Sequence, residues 1–191
     1  MLSDRQKQIV ETSIGLIDEK GIQGFTIKNL AKEIGISEPA IYRHFDSKMA
    51  IMSTILDSFK YKMNTYHQQQ DYSSKASGVD QLKEFFGMIF SVFTENPSLV
   101  SVIFAEEIFQ NEPLLTSKIL EIQTTNEVII KGMLSKLKLN SKLANVEPEM
   151  VAIILFGSVR LLVRKWKMSN YQFNLNEKGG KLIDTILIAL H

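Results

Sequence analysis

A chain of 191 residues with 22 Lys+Arg against 21 Asp+Glu has a formal charge of +1, too little to hold a polyanion by bulk charge. Its 45% hydrophobic and 23% charged residues are the proportions of a globular chain, enough for one domain or a small domain joined to a larger one. With no Cys, disulfides, thiolate zinc sites, iron–sulfur clusters and cysteine nucleophiles are excluded together.

The N-terminus opens on Asp4, Arg5 and Lys7 rather than on the apolar core of a secretory leader, so a cytoplasmic protein is expected. Apolar residues then recur every three or four positions, with only four Pro and ten Gly between them, which predicts an all-α fold. Ser3, Thr26, Ser37, Ser47 and Asn96 stand where N-caps belong, because a short side-chain oxygen accepts the orphan N–H groups of a first turn. Pro97, Pro113 and Pro148 read as first-turn prolines, and Gly21 and Gly35 as residues that end helices at positive φ.

Three short helices are expected over 4–20, 27–34 and 38–45, and longer ones from Ser47 onward. The first long helix carries Ile51, Ile55, Phe59 and Met63 on one face and gives way to a polar loop over 71–78. Further stripes follow at Leu82, Phe85, Phe86, Ile89 and Phe93, and at Leu115, Ile119, Ile122, Ile129, Met133 and Leu137. The near-apolar run 151–163 is broken by Gly157, Ser158 and Arg160 and is shorter than the roughly 18 residues of a membrane span. The chain thus divides into residues 1–46, with short helices, and residues 47–191, with long ones.

The chemistry concentrates between Thr26 and Lys48. Two short helices meet across Gly35-Ile36-Ser37; Leu30, Ala31 and Ile34 form the apolar face of one, and Ile41 and Phe45 that of the other. This pattern predicts a helix-turn-helix, whose second helix lies in the major groove while the first crosses the backbone. Ser37, Glu38, Pro39, Ala40 and Arg43 form the expected base-reading set. Arg43 can fork onto guanine, Glu38 can accept from a cytosine amine, and Ala40 can touch a thymine methyl. Thr26, Lys28, Tyr42, His44 and Lys48 place hydroxyl, ammonium or imidazole groups near helix ends and are expected on phosphates. Across this segment four cations, Lys28, Lys32, Arg43 and Lys48, face three anions, Glu33, Glu38 and Asp46, so the local charge is again only +1. Binding must rest on placed side chains and helix termini, with weak non-specific affinity at physiological salt.

The residues Thr26-Ile27, Leu30-Ala31, Ile34-Gly35-Ile36-Ser37 and Ile41-Tyr42-Arg43-His44-Phe45-Asp46-Ser47-Lys48 resemble the DNA-binding signature of the TetR/AcrR family of one-component transcriptional regulators. Ile9, Leu16, Ile17 and Gly21 extend the resemblance through the first helix, over about the first quarter of the chain. Ile34 departs from a position commonly small in that family, and Met49-Ala50 from one commonly acidic; neither removes a DNA-facing group. The resemblance implies phosphate contacts by Tyr42 and Lys48, base reading by Ser37 to Arg43, a homodimer, dimerisation through the last two helices and a cavity in the helical body.

In that body, Val151, Ile154, Leu155, Ser158, Leu161 and Leu162 form one stripe, and Leu182, Ile183, Ile186, Leu187 and Leu190 another. Both exceed what a small domain needs to cover, so Ile154, Leu155, Ser158, Leu161, Leu162, Leu182, Ile186 and Leu190 are the expected dimer surface, paired as a four-helix bundle. Phe86, Phe90, Phe93, Phe104, Asn126, Met133 and Trp166 are the expected lining of a site for a small apolar or aromatic effector, with Glu106, Glu107 and Arg160 as further polar groups able to fix it.

His44, His67 and His191 are too dispersed for a metal pair, and no phosphate loop or nucleophile elbow occurs. No cofactor, metal or catalytic residue is expected, and no membrane partner. The predicted function is a DNA-binding transcriptional regulator, a repressor that holds an inverted-repeat operator as a homodimer and is released by the effector. A ligand-independent DNA-binding or architectural protein is the alternative, and a helical-bundle enzyme a further one.

Overall fold

A computed structural model describes residues 2–69, 77–105, 109, 112–136 and 146–190, with only the backbone at 66–69 and 190. Among the described residues the chain forms nine α-helices and no strand: α1 (Asp4–Gly24), α2 (Ile27–Ile34), α3 (Glu38–Tyr42), α4 (Lys48–Gln69), α5 (Gly78–Glu95), α6 (Leu99–Ile103), α7 (Pro113–Leu134), α8 (Pro148–Met168) and α9 (Leu175–Leu190). The all-α expectation holds. Leu137, Glu106, Glu107, residues 71–76 of the expected loop and the side chain of Leu190 lie outside the described residues.

The helix starts follow the sequence closely. At Ser3 a capping box closes in both directions: the Gln6 amide donates to Ser3 Oγ at 3.3 Å and the Ser3 amide donates to Gln6 Oε1 at 3.0 Å. The Thr26 hydroxyl accepts from the Asn29 amide at 3.1 Å, and Ser47 Oγ from the Ala50 amide at 3.1 Å. Pro113 and Pro148 open α7 and α8. Asn96 and Pro97 do not act as expected. Asn96 ends α5, its amide and its side-chain Nδ2 both donating to the Val92 carbonyl, and Pro97 precedes the α6 start at Leu99.

The ends depend on left-handed residues. Gly21, at φ 66°, breaks the regular turn of α1, and Gly35, at φ 78°, closes α2. There the Gly35 amide donates to Lys32 and the Ile36 amide to Ala31 at 2.9 Å, a Schellman pattern. Helix α8 ends without glycine: Asn170 and Tyr171 take φ 54° and 62°, and the Tyr171 ring meets Trp166 edge-on at 4.7 Å. Asn170 is a local signal for the turn, since Asn tolerates positive φ better than other non-glycine residues.

Packing divides the chain into two compact units, Met1–Asn64 with Ser98–Ile122, and Thr65–Pro97 with Gln123–His191. In the first, α1 packs on α2 and α6, and α2 on α3. Its core is Ile9, Leu16, Ile17, Phe25, Leu30 and Ile41, and Asp18 accepts hydrogen bonds from Ser98 Oγ at 3.0 Å and from Ser101 Oγ. In the second, α9 packs on α5 and α8. Gly179 sits where a Cβ would fall 2.3 Å from the Phe90 ring, so only glycine allows α9 this close to α5. Phe85, Phe86 and Phe156 meet edge to face nearby, with centroids 5.1 to 6.4 Å apart.

Candidate nucleic-acid interface

Helix α3 is shorter than the sequence predicts: Phe45 lies beyond it, and Arg43 closes it with its amide 3.2 Å from the Pro39 carbonyl. Pro39 supplies a good first turn, and the helix ends where the His44 amide tightens onto the Ile41 carbonyl at 2.9 Å, three residues back, a carbonyl that the Phe45 amide also meets at 3.1 Å. Ile41, fully buried, and Phe45, at 7% exposure, fix the helix on its support.

What remains outward is the expected reading set. Ser37, Glu38, Pro39 and Arg43 are exposed, and Ala40 is half-buried. Ser37 holds the N-cap position but makes no side-chain capping bond, so its hydroxyl is not consumed by the helix. Tyr42 is a large aromatic at 49% exposure, next to a residue at zero; packing alone does not explain it.

The phosphate candidates spread around this edge. Thr26 and Lys28 are exposed at the start of α2, and Thr26 uses its oxygen as an acceptor for the helix while its O–H stays available to donate outward. His44 is half-buried. Lys48 has a second engagement that the sequence did not reveal. Its Nζ lies 3.5 Å from the Ile22 carbonyl and 5.1 Å from the Phe25 ring centroid, and burial pushes its pKa below the ordinary lysine value. It therefore ties the start of α4 to the elbow between α1 and α2, with other N–H donors left over.

Two positioning residues escaped the sequence reading. Gln6, already the α1 cap through its Oε1, donates its Nε2 to the His44 carbonyl at 3.3 Å and so joins α1 to the end of the reading helix. Asn29 donates Nδ2 to the Gly24 carbonyl at 2.9 Å. A capping-box Gln was the only signal, and it pointed to local use alone.

The expected effector residues fall in both compact units. Phe86, Phe90, Phe93, Met133 and Trp166 are buried in the second unit, Phe104 is half-buried in the first, and Asn126 is half-buried on α7. Arg160 is exposed on α8. The expected dimer residues also separate. Ile154 and Leu161 are exposed and Ser158, Leu162, Leu182 and Ile186 half-buried, but Leu155 is fully buried in its own chain. Leu155 corrects the single-stripe reading, since its side chain has no surface to give a partner. Among the described residues no group of three or more His, Asp or Glu could hold a metal ion, and no helix is long and apolar enough to cross a membrane.

Comparison with known proteins places this geometry. Residues 9–55 match the model described as bacterial regulatory proteins, tetR family, and residues 59–189 match the one described as YsiA-like protein, C-terminal region. The nucleoid occlusion factor SlmA of Glaesserella parasuis is 23% identical over 184 residues, spanning 94% of this chain and 89% of that protein. The crystal structure of the transcriptional regulator FadR from Bacillus subtilis in complex with stearoyl-CoA superposes with a TM-score of 0.77 at 22% identity, over 97% of this chain and 99% of that one. The ketosteroid transcriptional regulator KstR2 of Mycobacterium tuberculosis superposes with a TM-score of 0.83 at 16% identity, over 100% and 96%. At these identities the two solved structures share the fold.

Proposed function

The chain belongs to the tetR family of bacterial regulatory proteins, a DNA-binding transcriptional regulator, and on that footing we propose that it is a repressor. It binds an inverted-repeat operator as a homodimer and is released by a small apolar effector. Residues 1–46 are the reader and 47–191 the sensing and dimerising body. The observation that carries the reading is the exposed edge of α3: Ser37, Glu38, Pro39 and Arg43 face outward beside the exposed Tyr42, on a helix anchored by buried Ile41. Ser37 to Arg43 read base edges in the major groove, while Thr26, Lys28, Tyr42, His44 and Lys48 hold phosphates and set the register.

The apolar character of the effector is supported by two relatives in fold, one holding stearoyl-CoA and one named for ketosteroids. Release works by population shift. DNA needs the two reading heads about 34 to 36 Å apart, and an effector that favours another separation lowers operator affinity by its differential affinity for the two states. The coupling is reciprocal, so operator DNA must weaken effector binding by the same factor. The likeness to SlmA, named as a nucleoid occlusion factor, favours a second reading, a DNA-binding protein without a small-molecule effector.

Selection of bound sequences from random DNA tests the first part. An inverted repeat with half-sites one helical turn apart is expected, and enrichment without two-fold symmetry refutes the dimeric reader. Titration of the resulting complex with acyl-CoA and sterol ligands then separates the two readings, since a complex that no such ligand dissociates is the second.

A further inference from the structure

Helix α1 has two polar flanks with different neighbours. On one, Asp18 accepts from the Ser98 and Ser101 hydroxyls at α6. On the other, Lys20 lies 3.9 Å from Glu33 of α2. At 3.6 residues per turn Lys7 projects within about 20° of Asp18, on the α6 side, whereas Arg5 projects about 140° from Asp18 and about 60° from Lys20, on the α2 side. The same first turn is tied to the end of α3, because Gln6 Nε2 donates to the His44 carbonyl at 3.3 Å. Arg5, next to Gln6 in the chain, therefore stands at the edge formed by Tyr42, His44 and Lys48, the phosphate-holding residues of the proposed reader.

The charge of Arg5 is uncompensated. Lys7 is held by Asp4 at 3.3 Å and Lys20 by Glu33, but Arg5 has no carboxylate partner among the described residues. At the position three residues on, where a Glu would form an ion pair along the helix, stands the neutral Gln8. Its Oε1 accepts from Arg5 Nη1 at 2.6 Å, and both side chains are exposed. That bond uses one of five guanidinium donors, so it restricts the side chain without neutralising it. An arginine forks onto a phosphate through two parallel N–H bonds, and a brace that already limits its rotamers reduces the entropy lost on docking.

We propose that Arg5 holds a DNA phosphate beside those taken by Tyr42, His44 and Lys48, so that the start of α1 extends the reader; the proposal rests on the helix-turn-helix reading above. Helix α3 meets the bases, and α1, locked to its end by Gln6, carries the guanidinium at a fixed offset from them. The contact is independent of base identity, since a phosphate oxygen is the same at every position. Lys7, on the α6 flank and already paired with Asp4, takes no part. Arg5 adds one neutralised phosphate per head to a reader whose local charge between Thr26 and Lys48 is only +1.

Titration of the selected operator with full-length variants across a range of salt tests this. Arg5→Gln is expected to flatten the slope of log affinity against log salt by about 0.9 per head, about 1.8 for a dimer, and equally for every operator variant. Arg5→Lys, which keeps the charge, is expected to recover most of that slope, and Lys7→Gln to leave it unchanged. Thermal melting of Arg5→Gln is expected unchanged, because the exposed side chain loses only its bond to Gln8. Ethylation of single phosphates gives a second readout: one phosphate in each half-site whose ethylation weakens the natural complex is expected to be silent with Arg5→Gln. A slope equal to that of the natural protein, an equal flattening by Lys7→Gln, or no phosphate silenced overturns the proposal while Lys48→Met and Arg43→Ala still weaken binding. If those two variants also bind as the natural protein does, the helix-turn-helix reading itself fails.

Discussion

Lys48 has one observed and one proposed role, which one substitution separates. Its ammonium sits over the Phe25 ring and against the Ile22 carbonyl, and it is also a phosphate candidate at the edge of the reader. Removing the charge forfeits a partly exposed cation–π contact of about 0.5–1 kcal/mol. The hydrogen bond, at 3.5 Å, is at the long limit and adds little, while the burial that lowers the lysine pKa works against the charged form. Lys48→Met, which keeps the apolar stem, should therefore lower Tm by only about 1–4 °C. In the proposed homodimer its effect on DNA is larger, because both reading heads carry it. Two phosphate contacts are lost, and the slope of log affinity against log salt should flatten by about 1.8, equally for every operator variant. Anisotropy titrations of labelled operator between 50 and 200 mM salt, alongside thermal melts, measure both. An unchanged slope with a lowered Tm would refute the phosphate role and leave Lys48 as an elbow tie alone.

Arg43→Ala should relax preference at one base position in each half-site, costing about 1–3 kcal/mol per half-site on the preferred operator and far less on variants altered there; equal loss on all variants contradicts base reading. Gly35→Ala forces an L side chain to φ 78° and should cost about 1–2 kcal/mol in chemical denaturation, with no gain from the added Cβ, which meets open space. Gly179→Ala drives a Cβ to 2.3 Å from Phe90 and should cost at least about 1–3 kcal/mol, partly recovered by Phe90→Leu; additive losses in the double variant would mean the clash is not what matters. Gln6→Met removes the Oε1 half of the capping box and the tie to His44 but keeps the amide bond to Ser3 Oγ, so it should lower Tm by a few degrees and weaken operator binding beyond what an α1 cap change elsewhere does, as comparison with Ser3→Ala will show.

How much of this was legible depended on the range of the cause. Local rules located the helix starts at Ser3, Thr26, Ser47, Pro113 and Pro148 and the left-handed Gly35, because a cap or a first-turn proline acts within four residues. The outward edge of α3, the proposed reader, was legible for the same reason, since a buried Ile41 among five positions leaves the others little choice but to face outward. Asn96 failed because an Asn side chain serves a helix end as readily as a start, and only the chain's path after Glu95 decides. The second partner of Gln6, the Lys48 seat on Phe25 and the Gly179 to Phe90 approach link residues far apart in sequence, where spacing carries no signal. The α8 stripe was legible as apolar but not as two faces: Leu155 and Ile154 are adjacent in sequence, and only their packing assigns one to the core and the other to the surface.

The distribution of charge bears on how this protein finds its site. From Arg160 to Lys181 there are six cations, Arg160, Arg164, Lys165, Lys167, Lys178 and Lys181, against Glu177 alone, a local charge of +5 in a chain of +1, so the remainder carries −4. The reader is not where the positive charge collects. Long-range steering by the reader is correspondingly small, and the slope of affinity against salt must come from the few phosphates held directly. If the phosphates held by the proposed reader alone set that slope, Lys165→Gln, which removes one of the six cations, should leave it unchanged. A slope flattened by about 0.9 or more in that variant would show that the basic segment 160–181 itself meets the DNA.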